Sequence, residues 1–318
     1  MRRLGQGVAA VTVGAAVLAA AGCGGSGGSD GSAAAPTGTA AAPSSAASSA
    51  APSAARPMAK MPAGSKVPLA RKGTLRVCEY GHGLPYLGAA SGADPSVTGH
   101  GKVSGFDVDV LALVATRLRA SPLFVRTDAR QLLTGAALRA KACDIVPELT
   151  TWAGLKKTFR LTHAYSRRDF AILTKKGGPA TLAALRGKRV GVAGSEGGGD
   201  PATDYVTFLK KYNTAHGNRI RITPQQRYDV TLQMLKVGRL DAIVTDSGQA
   251  FYDAKRDPSL TAGARFGDGY TTVFGVSTGN MSLAKQVNAA LADAAGNGHY
   301  AKAYRDWFGR EPTWRPGH

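Results

Sequence analysis

Polar side chains gather at four places where short β-branched runs end. These are Glu79 and Tyr80 after Leu75-Arg76-Val77-Cys78, and Glu148, Thr150 and Trp152 after Asp144-Ile145-Val146. The other two are Ser195 and Glu196 after Arg189-Val190-Gly191-Val192, and Asp246 after Asp241-Ala242-Ile243-Val244. In parallel α/β sheets ligands sit outside the carboxyl ends of the strands, on loops held by the rigid sheet. Three carboxylates, Glu148, Glu196 and Asp246, beside a Trp and a Tyr suit an amine or other cation, through charge and attraction to ring faces. The Gly194-Ser195-Glu196 turn also opens a helix, whose free N–H groups suit an anion. A plainer reading has Glu148 and Glu196 pointing to solvent or pairing with local Lys and Arg.

Catalytic chemistry finds no support. His82, His100, His163, His216, His299 and His318 are scattered, and no Ser-His-Asp, Cys-His or metal-ligand spacing recurs. Gly194-Ser195-Glu196-Gly197 is not the Gly-x-Ser-x-Gly of a nucleophile elbow. Gly197-Gly198-Gly199 lacks the Gly-Lys-Ser/Thr ending of a phosphate loop. The chain is expected to be no enzyme and to need no cofactor and no metal.

The elements that must position these side chains alternate. Strand Leu75-Arg76-Val77-Cys78 precedes a Gly-rich loop holding Pro85-Tyr86. Phe106-Asp107-Val108-Asp109 opens a helix with carboxylates in its first turn, and Leu111, Val114, Ala115 and Leu118 make one apolar face. A strand at Leu123-Phe124-Val125, a helix over 129–140 and a strand at Asp144-Ile145-Val146 follow. The pattern restarts with a helix at 182–185, the strand Arg189-Val190-Gly191-Val192, and a helix over 203–212. A strand over 219–223, a helix through Tyr228, Leu232 and Leu235, and a strand at Asp241-Ala242-Ile243-Val244 complete it. This alternation predicts an α/β fold of mostly parallel sheets flanked by helices, built twice. In the helical tail Tyr300, Tyr304, Trp307 and Phe308 share a face and read as core.

The N-terminus carries Arg2 and Arg3, then an apolar stretch over 8–21 that is too short to span a bilayer and reads as an export signal. It ends in Ala20-Ala21-Gly22-Cys23, which resembles a bacterial lipobox, although Leu is usual where Ala20 stands. Residues 1–22 are therefore expected to be a signal peptide and Cys23 a lipidation site. Residues 23–66 are mainly Gly, Ala, Ser and Pro and are expected to form a disordered tether. The net charge of +19 is spread along the chain, and implies attraction to anionic lipid or wall polymer rather than nucleic acid. Cys78 and Cys143 are expected to be free buried thiols, because the strand reading offsets them by about four residues, or roughly 13 Å.

An ordered set of segments resembles bacterial solute-binding protein family 3, the amino-acid-type receptors of ABC importers. The set comprises Gly73-Thr74-Leu75-Arg76-Val77, Pro85-Tyr86, Gly105-Phe106-Asp107-Val108-Asp109-Val110, and Leu185-Arg186-Gly187-Lys188-Arg189-Val190-Gly191-Val192. Leu235-Lys236-Val237-Gly238-Arg239-Leu240-Asp241-Ala242 and Tyr300-Ala301-Lys302-Ala303-Tyr304-Arg305-Asp306-Trp307-Phe308-Gly309 complete it. The resemblance implies a two-lobed, type 2 periplasmic-binding-protein-like fold. Lobe 1 would be 67–167 plus 270–316 and lobe 2 168–269, joined by hinge strands near 165–170 and 266–272. It implies a ligand in the cleft, and together with the strand-tip reading the expected contacts are Tyr80, Tyr86, Glu148, Thr150, Trp152, Ser195, Glu196 and Asp246, with Glu196 standing where relatives carry a Thr. Thr150 and Asp246 would meet an α-amino group.

The chain departs from the family at the Thr-x-x-Arg element, whose Arg forks onto the ligand carboxylate. Counting back from Leu161-Thr162-His163-Ala164-Tyr165 puts Trp152 at the Thr position and Leu155 at the Arg position, so the cleft is expected to lack a guanidinium. Lys156 or Lys157 would substitute only with a shifted loop, and without the bidentate fork. The expected function is that of a solute-binding lipoprotein on the extracellular face of the cell membrane. It would be a monomer delivering a small polar solute, amino acid or amine-like, to an ABC permease, with no nucleic-acid partner. The alternatives are a sensory or accessory lipoprotein on the same fold and, more remotely, a cyclohexadienyl-dehydratase-like enzyme.

Overall fold

The computed structural model describes residues 56–63, 65–79, 83–89, 103–150, 154–193 and 204–317. The expected signal peptide, Cys23 and most of the expected tether lie outside these residues. β1 (Thr74–Glu79) leads to the short pair β2 (Gly88–Ala89) and β3 (Val103–Ser104), then α1 (Phe106–Leu118) and β4 (Ser121–Arg126). The short helices α2 (Ala129–Leu133) and α3 (Ala136–Arg139) precede β5 (Ile145–Thr150), and one turn, α4 (Leu155–Thr158), precedes the long β6 (Arg160–Lys175). The alternation then repeats as β7 (Arg189–Ala193), α5 (Tyr205–His216), β8 (Arg221–Gln225), α6 (Tyr228–Lys236), β9 (Ala242–Asp246) and α7 (Ser247–Arg256). β10 (Leu260–Val276) returns beside β6, and α8 (Met281–Gly296) and α9 (His299–Phe308) follow.

One sheet runs in the order β4-β1-β5-β10-β6-β9-β7-β8. β1, β4 and β5 pair in parallel, as do β7, β8 and β9. β10 and β6 pair antiparallel with each other and with the parallel strand beside each. Thr150 at the end of β5 lies opposite Thr272, and Asp246 at the end of β9 lies opposite Phe170. The carboxyl ends of both parallel halves therefore converge on the middle of the β6–β10 pair. The segments expected as hinges fall there, with Arg168 opposite Tyr270 and Phe170 opposite Phe266.

Each half has its own core. In lobe 1, α1, α8 and α9 cover one sheet face with Phe106, Leu111, Val114, Val287, Leu291 and Trp307. Each such side chain, fully buried, stabilises by about 1.5–3 kcal/mol. Tyr300, Trp307 and Phe308 are buried in that core, as their helical spacing predicts. In lobe 2 the core includes Ile172, Val190, Val192, Leu209 and Val244. β9 is buried along its whole length, which is why it reads as a continuous Ala-Ile-Val run rather than an alternation.

Three expectations change. The helix expected over 129–140 is two short helices, because Gly135 takes φ 70 between them and breaks the hydrogen-bond ladder. The tether expected to reach residue 66 is docked at its end. Met58 is buried in the lobe 1 core, Ala59 N–H donates to Asp293 (2.6 Å), and Met61 N–H donates to the Arg117 carbonyl (2.9 Å).

Cys78 and Cys143 form a disulfide with a Cα–Cα separation of 5.5 Å. The 13 Å expectation placed Cys143 just before the strand and carried the strand rise back to it. Instead the chain turns at Lys141 (φ 56) and Asp144 N–H donates to the Arg76 carbonyl (2.8 Å). This brings Cys143 over the sheet face on which Cys78 packs, among Leu138, Leu149 and Phe159. The bridge closes a sequence separation of 65. The double variant C78A/C143A is expected to lose about 4 kcal/mol of stability, measured as a lower urea midpoint, with a steeper slope because the unbridged unfolded chain exposes more surface. Alkylation of the denatured, unreduced wild type should label neither cysteine.

Candidate ligand-binding site

Glu148 enters the site through a bulge. Three steps of β5, from Leu149 to Val146, face two of β10, from Val273 to Gly275. The extra residue leaves Glu148 at φ 58, a left-handed conformation that costs a non-glycine residue about 1–2 kcal/mol. Such bulges re-aim a side chain beside a functional site. The Glu148 amide donates to the Tyr165 hydroxyl (3.1 Å), and its carboxylate accepts from Arg168 Nη2 at 3.1 Å.

Arg168 projects from the middle of β6. Its side chain is 9% exposed, its Nη2 also lies 4.0 Å from Asp107 Oδ2, and its guanidinium carbon is 3.3 Å from the Tyr86 ring centroid. Tyr86 is fixed from below: Asp107 N–H donates to its carbonyl (3.0 Å), and a Cβ on Gly105 would stand 1.9 Å from that oxygen, so only glycine fits. The Tyr86 hydroxyl donates to Asp246 Oδ1. Asp246 also caps α7, accepting from the Gln249 amide (3.0 Å). Gly248 lets the ring approach, since a Cβ there would lie 2.2 Å from the hydroxyl. Tyr86 of lobe 1 thus bonds Asp246 of lobe 2, with the Arg168 guanidinium beneath the ring.

Burial sets the electrostatics. It pushes Asp107 well above the usual carboxylate range, and the neighbouring Glu148 carboxylate pushes the same way. The Tyr165 hydroxyl donates to Asp107 Oδ2 (2.7 Å). Burial also raises the Tyr86 hydroxyl, against the pull of Arg168. For Arg168 burial works against the charge, but Tyr86, Glu148, Tyr270 and Asp107 outweigh it, so the guanidinium stays protonated. The described residues line an open pocket of about 500 Å³, formed by Gly83, Leu84, Tyr86, Glu148, Arg168, Arg227, Tyr228, Asp229, Asp246 and Gln249. That volume suits a small ligand.

The structure brings three of the expected site residues together, namely Tyr86, Glu148 and Asp246. Thr150 ends β5 outside the cavity lining, and Tyr80, Trp152, Ser195 and Glu196 lie outside the described residues. Leu155 is buried in the lobe 1 core with Phe159, and Lys156 and Lys157 are exposed. The expectation of a cleft without a guanidinium is corrected by Arg168, which comes from the hinge strand rather than from the loop after β5. In the strand it shares a face with Ser166 and Phe170, both buried, but the polar run Ser166-Arg167-Arg168-Asp169 gives no local signal of this.

Two α/β lobes joined by a pair of long crossing strands, with charged groups at facing strand tips, define a cleft binding protein of the type 2 periplasmic architecture. The sequence profile of the bacterial extracellular solute-binding proteins, family 3, matches residues 89–310, and the chain belongs to that family. It is 29% identical over 219 residues to the L-cystine-binding protein TcyJ of Escherichia coli K12, covering 67% of this chain and 77% of that protein. The solved structure of an ancestral arginine-binding protein bound to glutamine is 27% identical, with a TM-score of 0.53 over 76% of this chain and 100% of that one. The ancestral cationic amino acid solute-binding protein AncCDT-1 shares the fold, with a TM-score of 0.61 at 24% identity over 75% and 97% of the two chains.

The raised Asp107 means that the folded protein keeps a proton that the unfolded chain has lost. That contribution is fully present below the ordinary carboxylate range and is lost as pH rises through the folded value. Asp107→Asn fixes the neutral form. Its melting temperature should match or exceed that of wild type at neutral pH and vary less with pH. Asp107→Ala should lower stability by about 2 kcal/mol at every pH, both read from a melting series across pH.

Proposed function

We propose that this chain is the extracellular receptor of an ABC importer and closes its lobes on a small amino-acid-like solute. The observation that carries the reading is the convergence of Tyr86, Glu148, Arg168 and Asp246 on one cavity between the lobes. Relatives named for binding L-cystine, arginine and glutamine support it. The chain works by binding and release rather than catalysis. Closure is a rotation about mid-β6 and mid-β10, where the pairing register slips between Phe266 and Tyr270 and Gly267 and Gly269 take φ 75 and 66. The lobes divide near 167–168 and 269–270. The protein acts as a monomer held at the membrane by lipid on Cys23, and its net charge of +19 favours the anionic envelope.

A second reading, a sensory or accessory lipoprotein, is favoured by the burial of Leu155 where the family's carboxylate clamp would stand. The two separate on binding. Under the receptor reading, calorimetry with L-cystine, L-glutamine and other amino acids gives at least one ligand of micromolar affinity or better. The variants Tyr86→Ala and Asp246→Ala each weaken it by about tenfold or more. No amino-acid binding in wild type sinks the receptor reading. Cys23→Ser should release the protein from the membrane fraction into the medium, and retention would remove the anchor assignment.

A further inference from the structure

The cleft already contains a guanidinium of its own. An aromatic face on one side and a carboxylate on the other is what a cationic side chain of a solute requires. Arg168 takes both, stacked on Tyr86 at 3.3 Å and bonded to Glu148 at 3.1 Å. Asp107 lies behind it at 4.0 Å, so the pair is locked into a buried network rather than resting at the surface. The rest of the described charge at the mouth is matched. Arg227 pairs with Asp229, and Asp246 is held by the Tyr86 hydroxyl and the Gln249 amide.

We propose that Arg168 is a specificity-determining residue. It fills the subsite between Tyr86 and Glu148, so the cleft takes zwitterionic solutes with uncharged side chains and rejects those with arginine- or lysine-like side chains. This inference rests on the receptor reading. It separates the chain from its arginine-binding relatives by a positive mechanism, a repulsive charge and an occupied seat. Removing the guanidinium leaves Glu148 buried without its cation, and a free cation of matching shape then gains what Arg168 supplied.

The test compares wild type with Arg168→Ala. Calorimetry with L-glutamine, L-cystine and L-arginine should show wild type binding one of the first two and not the third. The variant should gain L-arginine affinity by about tenfold or more. Millimolar guanidinium chloride, against the same concentration of sodium chloride, should raise the melting temperature of the variant and leave that of wild type unchanged. Wild type binding L-arginine as tightly as L-glutamine overturns the proposal while the receptor reading stands. If wild type binds no amino acid, the receptor reading falls, and the guanidinium measurement alone decides the subsite. Equal response of the two proteins to guanidinium overturns the proposal. Should Arg168→Ala fail to fold, Arg168→Gln, which keeps a donor for Glu148, takes its place with the same two readouts.

Discussion

The antiparallel pairing of β6 with β10 is the constraint from which the remaining geometry follows. Each of these strands also pairs antiparallel with one parallel half, β10 with β5 and β6 with β9. Antiparallel pairing reverses direction, so β5 and β9 must approach the centre of the pair from opposite ends. Their carboxyl tips, and those of the strands parallel to them, then face each other across a gap. A cleft is the necessary product of that connectivity, and the side chains at the tips are the ones that meet within it. The same pair carries the register slip and the glycines in left-handed conformations, so the place where tips converge is also where the backbone is least regular.

Within the cleft, charge balance decides what each group can do. Burying a charge is costly unless it is paired and hydrogen-bonded. Around Arg168, Glu148 is bonded to the guanidinium, the Tyr86 ring is stacked on it, and burial raises the Asp107 carboxyl above its usual range. Asp246 is satisfied separately by a hydroxyl and a helix N-terminus. Two carboxylates that look available when counted along the chain are thus already engaged when seen in place. The strained backbone at Glu148 fits this arrangement, because the bulge turns its carboxylate toward Arg168.

Much of the fold was legible because it is written locally. The α1 face, the continuous apolar run of β9 and the aromatic face of α9 follow from periodicity alone. Glu148 and Asp246 could be placed at strand tips because parallel strands end where their apolar runs end. What escaped depends on contacts far apart in sequence. Arg168 sits in Ser166-Arg167-Arg168-Asp169, which reads as a solvated polar stretch, and only its tertiary partners Tyr86 and Glu148 make it internal. The disulfide escaped for a similar reason, since the left-handed turn at Lys141 that brings Cys143 over β1 has no glycine to announce it. The docked segment around Met58 was hidden by its low-complexity surroundings, where one apolar side chain suffices as an anchor.

The disulfide joins two elements of lobe 1 only, which gives the halves unequal dependence on surroundings. In a reducing compartment, thiols at Cys78 and Cys143 leave lobe 1 without its covalent brace, while lobe 2 rests on packing alone in either case. A newly made chain is therefore less committed to its final shape before oxidation than after it. Oxidation of the two thiols is thus the step that commits lobe 1, and lobe 2 has no counterpart to it.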